Sequence, residues 1–584
     1  MAKYPGMSRA GPEGAGTWID EVDYEMADTL FDHYYDYEEL TAALRELAAT
    51  HPDLAELYSI GKTHRGRDLW MMEITAPNAP GEEKPGYYID GNTHPEEVTG
   101  SMVALYTCRH LLEGYGRCDD ITRLLDTRVF YILPRVNPDG AEICLSGTFY
   151  EWIGNGRYLP GEEQSGPGLH YRDVDGDGEI LDMRVPDPKG AWKISEIDSR
   201  IMVPRAPYEF GGDYYHVIPE GIIEGFQGTA DVPIPRPMDG NMNRNYPYGW
   251  GPEGEEYGGG DYPLEEPEIA AIVRFILDHP NIGGASNYHT HSGIVLPPLE
   301  LGGEPVPRAD LELFQSIAAM AEDTLGYPTL QRAEDFNMPG SKPRMGTSKD
   351  FIYGQLGGVC YTVELWDVFS AAGIEKDWIF PLRPFTESEN QRLLAWNDAV
   401  LDGRGFEPWR PFEHPQLGPV EIGGWRRMYT FRNPPAGPLL DAICRGGARF
   451  TARHAAAAPE IVIEGAEARP LGGDLYEIEA LVGNVGYIAT HVTRRALDLG
   501  KAKPVSAAIA MEGAELATGT LEVELGHMEG RVDRRGHYSR FRTWGRNTGM
   551  ARWTVRRTGD GPARVRVTVT SEKGGTRRAD IELD

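Results

Sequence analysis

Four short stretches, far apart in the chain, carry side chains suited to hydrolytic chemistry. His94, Pro95, Glu96 and Glu97 follow an apolar run at residues 87–90, and an imidazole and a carboxylate three apart at such a turn both reach one ion, at roughly 2.0–2.2 Å for zinc. His289 and His291 close another apolar run; one of them would complete a His, Glu, His set that leaves a fourth position for water. Glu364 interrupts the apolar run at residues 357–365, where a carboxylate is costly unless it is paired or used. Asn243 and Arg244 join an amide to a guanidinium, a pair suited to gripping a carboxylate. Each stretch taken alone also has a plain structural reading, such as a surface histidine beside acids at a helix start.

A fifth stretch, residues 173–179, has the carboxylate spacing and glycine of an EF-hand-like calcium loop. Asp173, Asp175, Asp177 and the Glu179 carbonyl are its candidate ligands. The closing bidentate glutamate is missing, because Arg184 stands there.

The elements that must position these groups are an alternation of helices and buried strands. Leu40, Leu44 and Leu47 recur at helical spacing ahead of a short strand, and a long helix is expected after the turn that holds His94 and Glu97. The runs at 128–137, 285–291 and 357–365 are short and apolar, as buried strands are, with helical stretches at 267–280 and 309–326 between them. The expected fold class is α/β, a mixed and mostly parallel sheet flanked by helices. Residues 1–28 read as a poorly ordered arm, 29–410 as the catalytic domain with a loop-rich excursion at about 141–240, and 411–457 as a linker. Residues 458–584 alternate apolar and polar positions and read as an antiparallel β-sandwich.

Lysine and arginine number 57 against 90 aspartate and glutamate, a formal charge of −33, which disfavours nucleic acid and anionic membranes as partners. Neither an apolar run long enough to span a bilayer nor the apolar centre of a secretory leader is visible, so a cytoplasmic protein is expected. The five cysteines are widely spaced with no CxxC pair, and they read as buried thiols rather than as a disulfide framework.

The stretches at 94–97, 135–140, 242–246, 288–293 and 362–367 follow the order of motifs in the zinc carboxypeptidase family, of the carboxypeptidase A type, and the opening at 33–75 resembles that family too. The resemblance spans about residues 33–400 and is silent on the sandwich. It implies one zinc ion held by His94, Glu97 and His289, the last preferred over His291 because it precedes Pro298 at the family's spacing. Glu364 is implied as general base, and Asn243 with Arg244 as the grip on a substrate's C-terminal carboxylate, so that a peptide or protein C-terminus is the partner. Where the chain departs from the family, the carbonyl-polarising arginine has no residue in register, and Arg157 and Arg184 are the candidates. The family's mobile tyrosine falls on Lys342, with Arg344 as a further candidate for its role; Glu96 replaces an arginine. Lys349 aligns with the family's specificity position and would favour acidic terminal side chains. The competing readings are an amide hydrolase acting on a peptidoglycan peptide or an acylated amino acid, and a non-catalytic binding or assembly protein. Oligomeric state is not legible.

Overall fold

The computed structural model describes residues 31–147, 154–157, 166–235, 240–302, 304–332, 335–336, 344–376, 379, 383–531 and 546–583. The expected N-terminal arm, 1–28, lies outside them, as does Lys342.

The larger, N-terminal part is built on a seven-stranded sheet of β1 (Ala55–Lys62), β2 (Asp68–Ile74), β3 (Gly86–Gly91), β4 (Val129–Leu133), β5 (Ile282–Thr290), β6 (Ile294–Leu296) and β7 (Val359–Leu365), in the spatial order β1-β2-β4-β3-β5-β7-β6. The inner strands β4, β3, β5 and β7 run parallel, whereas β1, β2 and β6 pair antiparallel. The sheet is thus mixed, with its parallel part at the centre. Every residue of β3, β4, β5 and β7 is buried, as expected of strands covered on both faces.

Alternate residues of β3 point into two separate cores. Tyr87 and Ile89 pack with α1 (Tyr37–Thr50), α2 (Thr99–Gly114), α4 (Arg308–Leu325) and α5 (Pro438–Ala456) on one face, and Tyr88 packs with α3 (Pro267–Asp278) on the other. Helix α1 starts where Asp36 and Glu39 cap each other's backbone reciprocally, a capping box that satisfies two amide donors.

The excursion is more regular than its composition suggests. Strands Asp182–Pro186, Trp192–Ile194, Met202–Pro204 and Tyr215–Pro219 form a six-stranded antiparallel sheet with Phe406–His414 and Gly418–Trp425. Residues 411–457 therefore do more than join two domains: Gly418–Trp425 pairs with Asp182–Pro186, and α5 buries Leu440, Cys444, Ala448 and Phe450 in the core beside the seven-stranded sheet. Burying a leucine or phenylalanine such as Leu440 or Phe450 contributes about 1.5–3 kcal/mol, which is why the segment packs as part of the larger body.

Beyond α5, two four-stranded antiparallel sheets pack face to face around Ile478, Val505, Trp553 and Val567, giving the β-sandwich. It is bolted to the larger part through Glu460, which takes Arg128 at 3.2 Å and Arg123 at 3.0 Å, and through the Thr493 hydroxyl, which donates to the Gly357 carbonyl at 2.6 Å. All five cysteines are buried free thiols.

Candidate metal centre and substrate pocket

The centre forms where β3, β5 and β7 end, at their carboxyl ends, the edge at which open α/β sheets hold their ligands. The chain leaves β3 through Asn92, which adopts φ 59° and whose amide donates to the carbonyls of His94 (2.7 Å) and Pro95 (3.0 Å). Gly91 permits the tight turn: a Cβ there would lie 2.4 Å from the Gly100 carbonyl carbon at the start of α2. These constraints hold His94 and Glu97 above the strand end. On the neighbouring strands His289 and Glu364 are direct register partners, so two of the groups come from adjacent positions of one parallel ladder.

His94 Nδ1 lies 2.9 Å from Glu97 Oε1 and His289 Nδ1 lies 2.8 Å from Glu97 Oε2, with the two Nδ1 atoms 3.3 Å apart. Ligand atoms of all three residues fall within 4.8 Å of one another. Asn241 Oδ1 accepts the backbone N–H of Asn243 at 2.9 Å and stands 3.1 Å from His94 Nε2. Since Oδ1 is an acceptor, Nε2 is the donor, and in the neutral imidazole the Nδ1 lone pair then faces the Glu97 carboxylate. A lone pair against an anion is repulsive, and a divalent cation between the three groups relieves it. The donor set therefore fits zinc, with two imidazoles and one carboxylate in the ligand chemistry that ion takes.

Charge ties the same three groups together. Burial would raise the Glu97 carboxyl, yet the two imidazoles hold it well below the usual carboxylate range. Burial would lower His289, but the charge and hydrogen bond of Glu97 push it up to about 9. Glu364 is pushed up to about 7, by burial first and by the charge of Glu97 second, against the opposing pull of His289, Arg344 and Arg432.

A pocket opens on this centre, with His94, His289 and Glu364 in its wall together with Asn243, Arg244, Arg344 and Lys349. Asn243 and Arg244 sit in a short turn, Met242–Arg244, capped by Asn241. Arg244 is fixed by Glu256 at 2.8 Å through Nε and by the Asn243 carbonyl at 2.7 Å. Lys349 follows the Thr347 cap of the next short helix, and its ammonium lies 3.4 Å from the Pro297 carbonyl. Arg344 lies over the ring of Phe336 at 4.8 Å.

Two expected arginines are elsewhere. Arg157 is taken up by Glu266 (3.0 Å) and Glu265 (3.5 Å). Arg184, on a strand of the excursion sheet, pairs with Glu421 at 2.6 Å and stacks on Trp409 at 4.8 Å. Neither lines the pocket; each is held by a nearer carboxylate. The guanidinium groups that act on Glu364 are those of Arg344 and Arg432. Arg432 lies 4.0 Å from Glu96 and arrives from a segment that carries no motif, so that only its tertiary placement identifies it. His291 is half-buried and stands outside the three ligands' cluster, with its imidazole pushed down to about 3 by burial and by Arg432.

The acidic loop is also rearranged relative to expectation. Asp173 and Asp175 converge with Glu220 within 4.8 Å. Asp177 takes Arg410 at 2.6 Å, which also reaches Asp175 at 3.3 Å, and the Glu179 carboxylate takes Arg426 at 2.8 Å. Glu220, 45 residues beyond Asp175, is a partner that loop spacing alone does not reveal.

Residues 40–165 and 230–379 match the family model described as zinc carboxypeptidase. By that match these two stretches are similar to the zinc carboxypeptidases. All three metal-centre residues, Glu364, Asn243, Arg244 and Lys349 lie within the matched zinc carboxypeptidase stretches, whereas residues 173–184 and Arg432 lie outside them. Residues 460–582, the sandwich, match a domain of unknown function, DUF8731. Carboxypeptidase D of Homo sapiens is 40% identical over 147 residues, covering 21% of this chain and 10% of that protein. A zinc carboxypeptidase of Saccharothrix mutabilis subsp. capreolus is 33% identical over 123 residues, covering 21% of this chain and 28% of that protein. The chain thus spans well under two thirds of these relatives. The solved carboxypeptidase A of Helicoverpa armigera is 17% identical and covers 64% of this chain and 73% of its own, with a TM-score of 0.37.

The relatives correct the cytoplasmic expectation: carboxypeptidases D, M and Z are secreted, membrane-anchored or Golgi proteins. That expectation rested on the want of an apolar leader, and such a want assigns no compartment. No helix among the described residues is long and apolar enough to cross a membrane.

Proposed function

We propose that the chain is a zinc-dependent carboxypeptidase that hydrolyses the last peptide bond of a peptide or protein. The observation that supports this reading most directly is the convergence of His94, Glu97 and His289 beside Glu364 in one pocket that Asn243 and Arg244 also line. Zinc held by those three residues supplies Lewis-acid polarisation of the scissile carbonyl and a more acidic water.

The remaining work falls to the chain's own side chains. Arg244, held at Nε by Glu256, and Asn243 bind the terminal carboxylate, which restricts cleavage to the last bond. Glu364 takes the proton of the attacking water and returns it to the leaving amine; a carboxyl raised toward neutrality by burial suits both halves of that task. Arg344, whose charge reaches Glu364, offsets the negative charge of the tetrahedral oxyanion, a contribution for which loss of one donor costs roughly 10²–10³ in rate. Lys349 selects acidic terminal side chains. Asp173, Asp175 and Glu220 would hold a calcium ion, whose charge would steady the excursion.

Glu364→Gln tests the chemistry: it keeps the shape of the side chain and removes its basicity. The expected result is loss of hydrolysis with zinc content unchanged. Undiminished hydrolysis would remove Glu364 from the mechanism.

A further inference from the structure

A cavity that this mechanism does not use lies beside the metal centre. It has a volume of about 550 Å³, within the range of small-ligand sites. Its wall is contributed by the excursion (Trp192, Val217), by the segment after residue 400 (Trp409, Trp425, Phe431) and by Phe369. Most of it therefore comes from residues outside the matched zinc carboxypeptidase stretches.

Three observations tie it to the centre and give it a chemical character. His291, two residues past the ligand His289, lines it. Arg432 also lines it, and lies 4.0 Å from Glu96, the residue between His94 and Glu97. Its charged lining is Arg200, Arg427 and Arg432 against Asp182; Asp182 is 3.2 Å from Arg427, and Arg200 is held by Asp198 (2.8 Å) and Asp398 (2.9 Å). The rings of Phe406, Trp425 and Phe431 stand edge to face at 5.2 and 5.4 Å, an apolar surface that suits another ring.

We propose that this cavity receives the substrate residue on the acyl side of the scissile bond, that it takes an aromatic side chain there, and that Arg432 donates to a backbone carbonyl of the same acyl segment. The assignment rests on the carboxypeptidase reading: His289 lines the pocket of Arg244 and His291, two residues on, lines this cavity, a separation along the chain comparable with the roughly 3.3–3.6 Å per residue that an extended peptide spans. The aromatic preference is independent of the terminal side chain, which the other pocket reads.

The test uses the full chain and N-acetylated dipeptides with one fixed, unblocked terminal residue and Gly, Leu or Phe before it. Burial of a phenylalanine ring predicts kcat/KM about 10–100-fold higher for Phe than for Gly. A second readout is quenching of tryptophan fluorescence by N-acetylphenylalanine amide in zinc-free protein, saturable and stronger than with N-acetylglycine amide, neither of which carries the free carboxylate that Arg244 grips. Val217→Trp, which fills the cavity, should bring the Phe to Gly ratio close to one and abolish the quenching; Arg432→Gln should weaken all acyl segments alike. Hydrolysis that ignores the penultimate residue, or a Phe preference that survives Val217→Trp, overturns the cavity assignment and leaves the carboxypeptidase reading in place. Failure of the zinc-loaded chain to hydrolyse any of the dipeptides overturns both.

Discussion

Replacing Asn241 with alanine removes the acceptor that fixes the first metal ligand. In the structure the Asn241 oxygen receives the Asn243 amide at 2.9 Å and lies 3.1 Å from His94 Nε2, which makes Nε2 the protonated nitrogen and turns the Nδ1 lone pair towards Glu97 and His289. Without it the imidazole is free to take the other tautomer and to rotate, and the Asn243 amide loses its cap. Loss of an outer partner of a ligating histidine typically weakens metal binding 10–100-fold, or about 1.4–2.7 kcal/mol. Competition against a chromophoric chelator at fixed pH measures the zinc Kd of the wild type, Asn241→Ala and Asn241→Asp. The alanine variant should bind 10–100-fold more weakly, and the aspartate variant, which retains an acceptor at the same place, should recover most of the loss. Equal affinity of alanine variant and wild type would refute the tautomer argument, and failure of aspartate to rescue would reduce Asn241 to a loop cap.

Release of C-terminal Glu, Leu and Lys from matched peptides tests Lys349, which should make Glu the preferred terminal residue; Lys349→Glu should lower the Glu to Lys ratio at least tenfold, and equal wild-type rates would dispose of the preference. Glu268 is fully buried with Oε2 unpartnered among the described residues, and burial first, then the charges of Glu266 and Asp139, push its carboxyl up to about 7. Because the folded value is raised above the unfolded one, the folded chain holds a proton that the unfolded chain releases between about pH 4.5 and 7, and stability falls as pH rises through that window, by at most about 3 kcal/mol. Glu268→Gln should flatten the slope of Tm against pH there, and an unchanged slope would contradict it. Removing calcium with EGTA should lower Tm without releasing zinc, by the site at Asp173, Asp175 and Glu220; a Tm indifferent to EGTA and to added calcium would discard that ion.

The parts of the site legible in the sequence are those encoded within a few residues. His94 and Glu97 share one turn, Asn243 and Arg244 another, and His289 and Glu364 end short apolar runs; strand ends in a parallel sheet bring such local motifs together whatever the chain length between them. The unread parts depend on pairings between distant segments. Glu220 joins Asp173 and Asp175 across a sheet, and Arg432 reaches Glu96 from 336 residues away, 432 − 96. Both lack a spacing rule.

The fold shows the same division. The central strands were legible from their apolar runs, and the sandwich from alternation. The strands at 406–425 were not, because they are half exposed, and a helical stretch near 437–457 does not by itself reveal that Gly446 and Gly447 let it pack closely on Leu325 and Val103. Those glycines allow close helix packing and at the same time weaken the helical pattern. Arg157 and Arg184 have the right charge near the right motif, but carboxylates at 3.0 and 2.6 Å hold them outside the pocket.

The most direct measurement is metal analysis of the purified chain together with turnover of one peptide in two forms, its C-terminus free or amidated. One zinc per chain, with the free form hydrolysed by a single residue at a time and the amidated form untouched, is the predicted result. Stoichiometric zinc with cleavage of both forms alike would contradict recognition by Asn243 and Arg244, and a chain that takes up no zinc under any loading condition would contradict the metal centre itself.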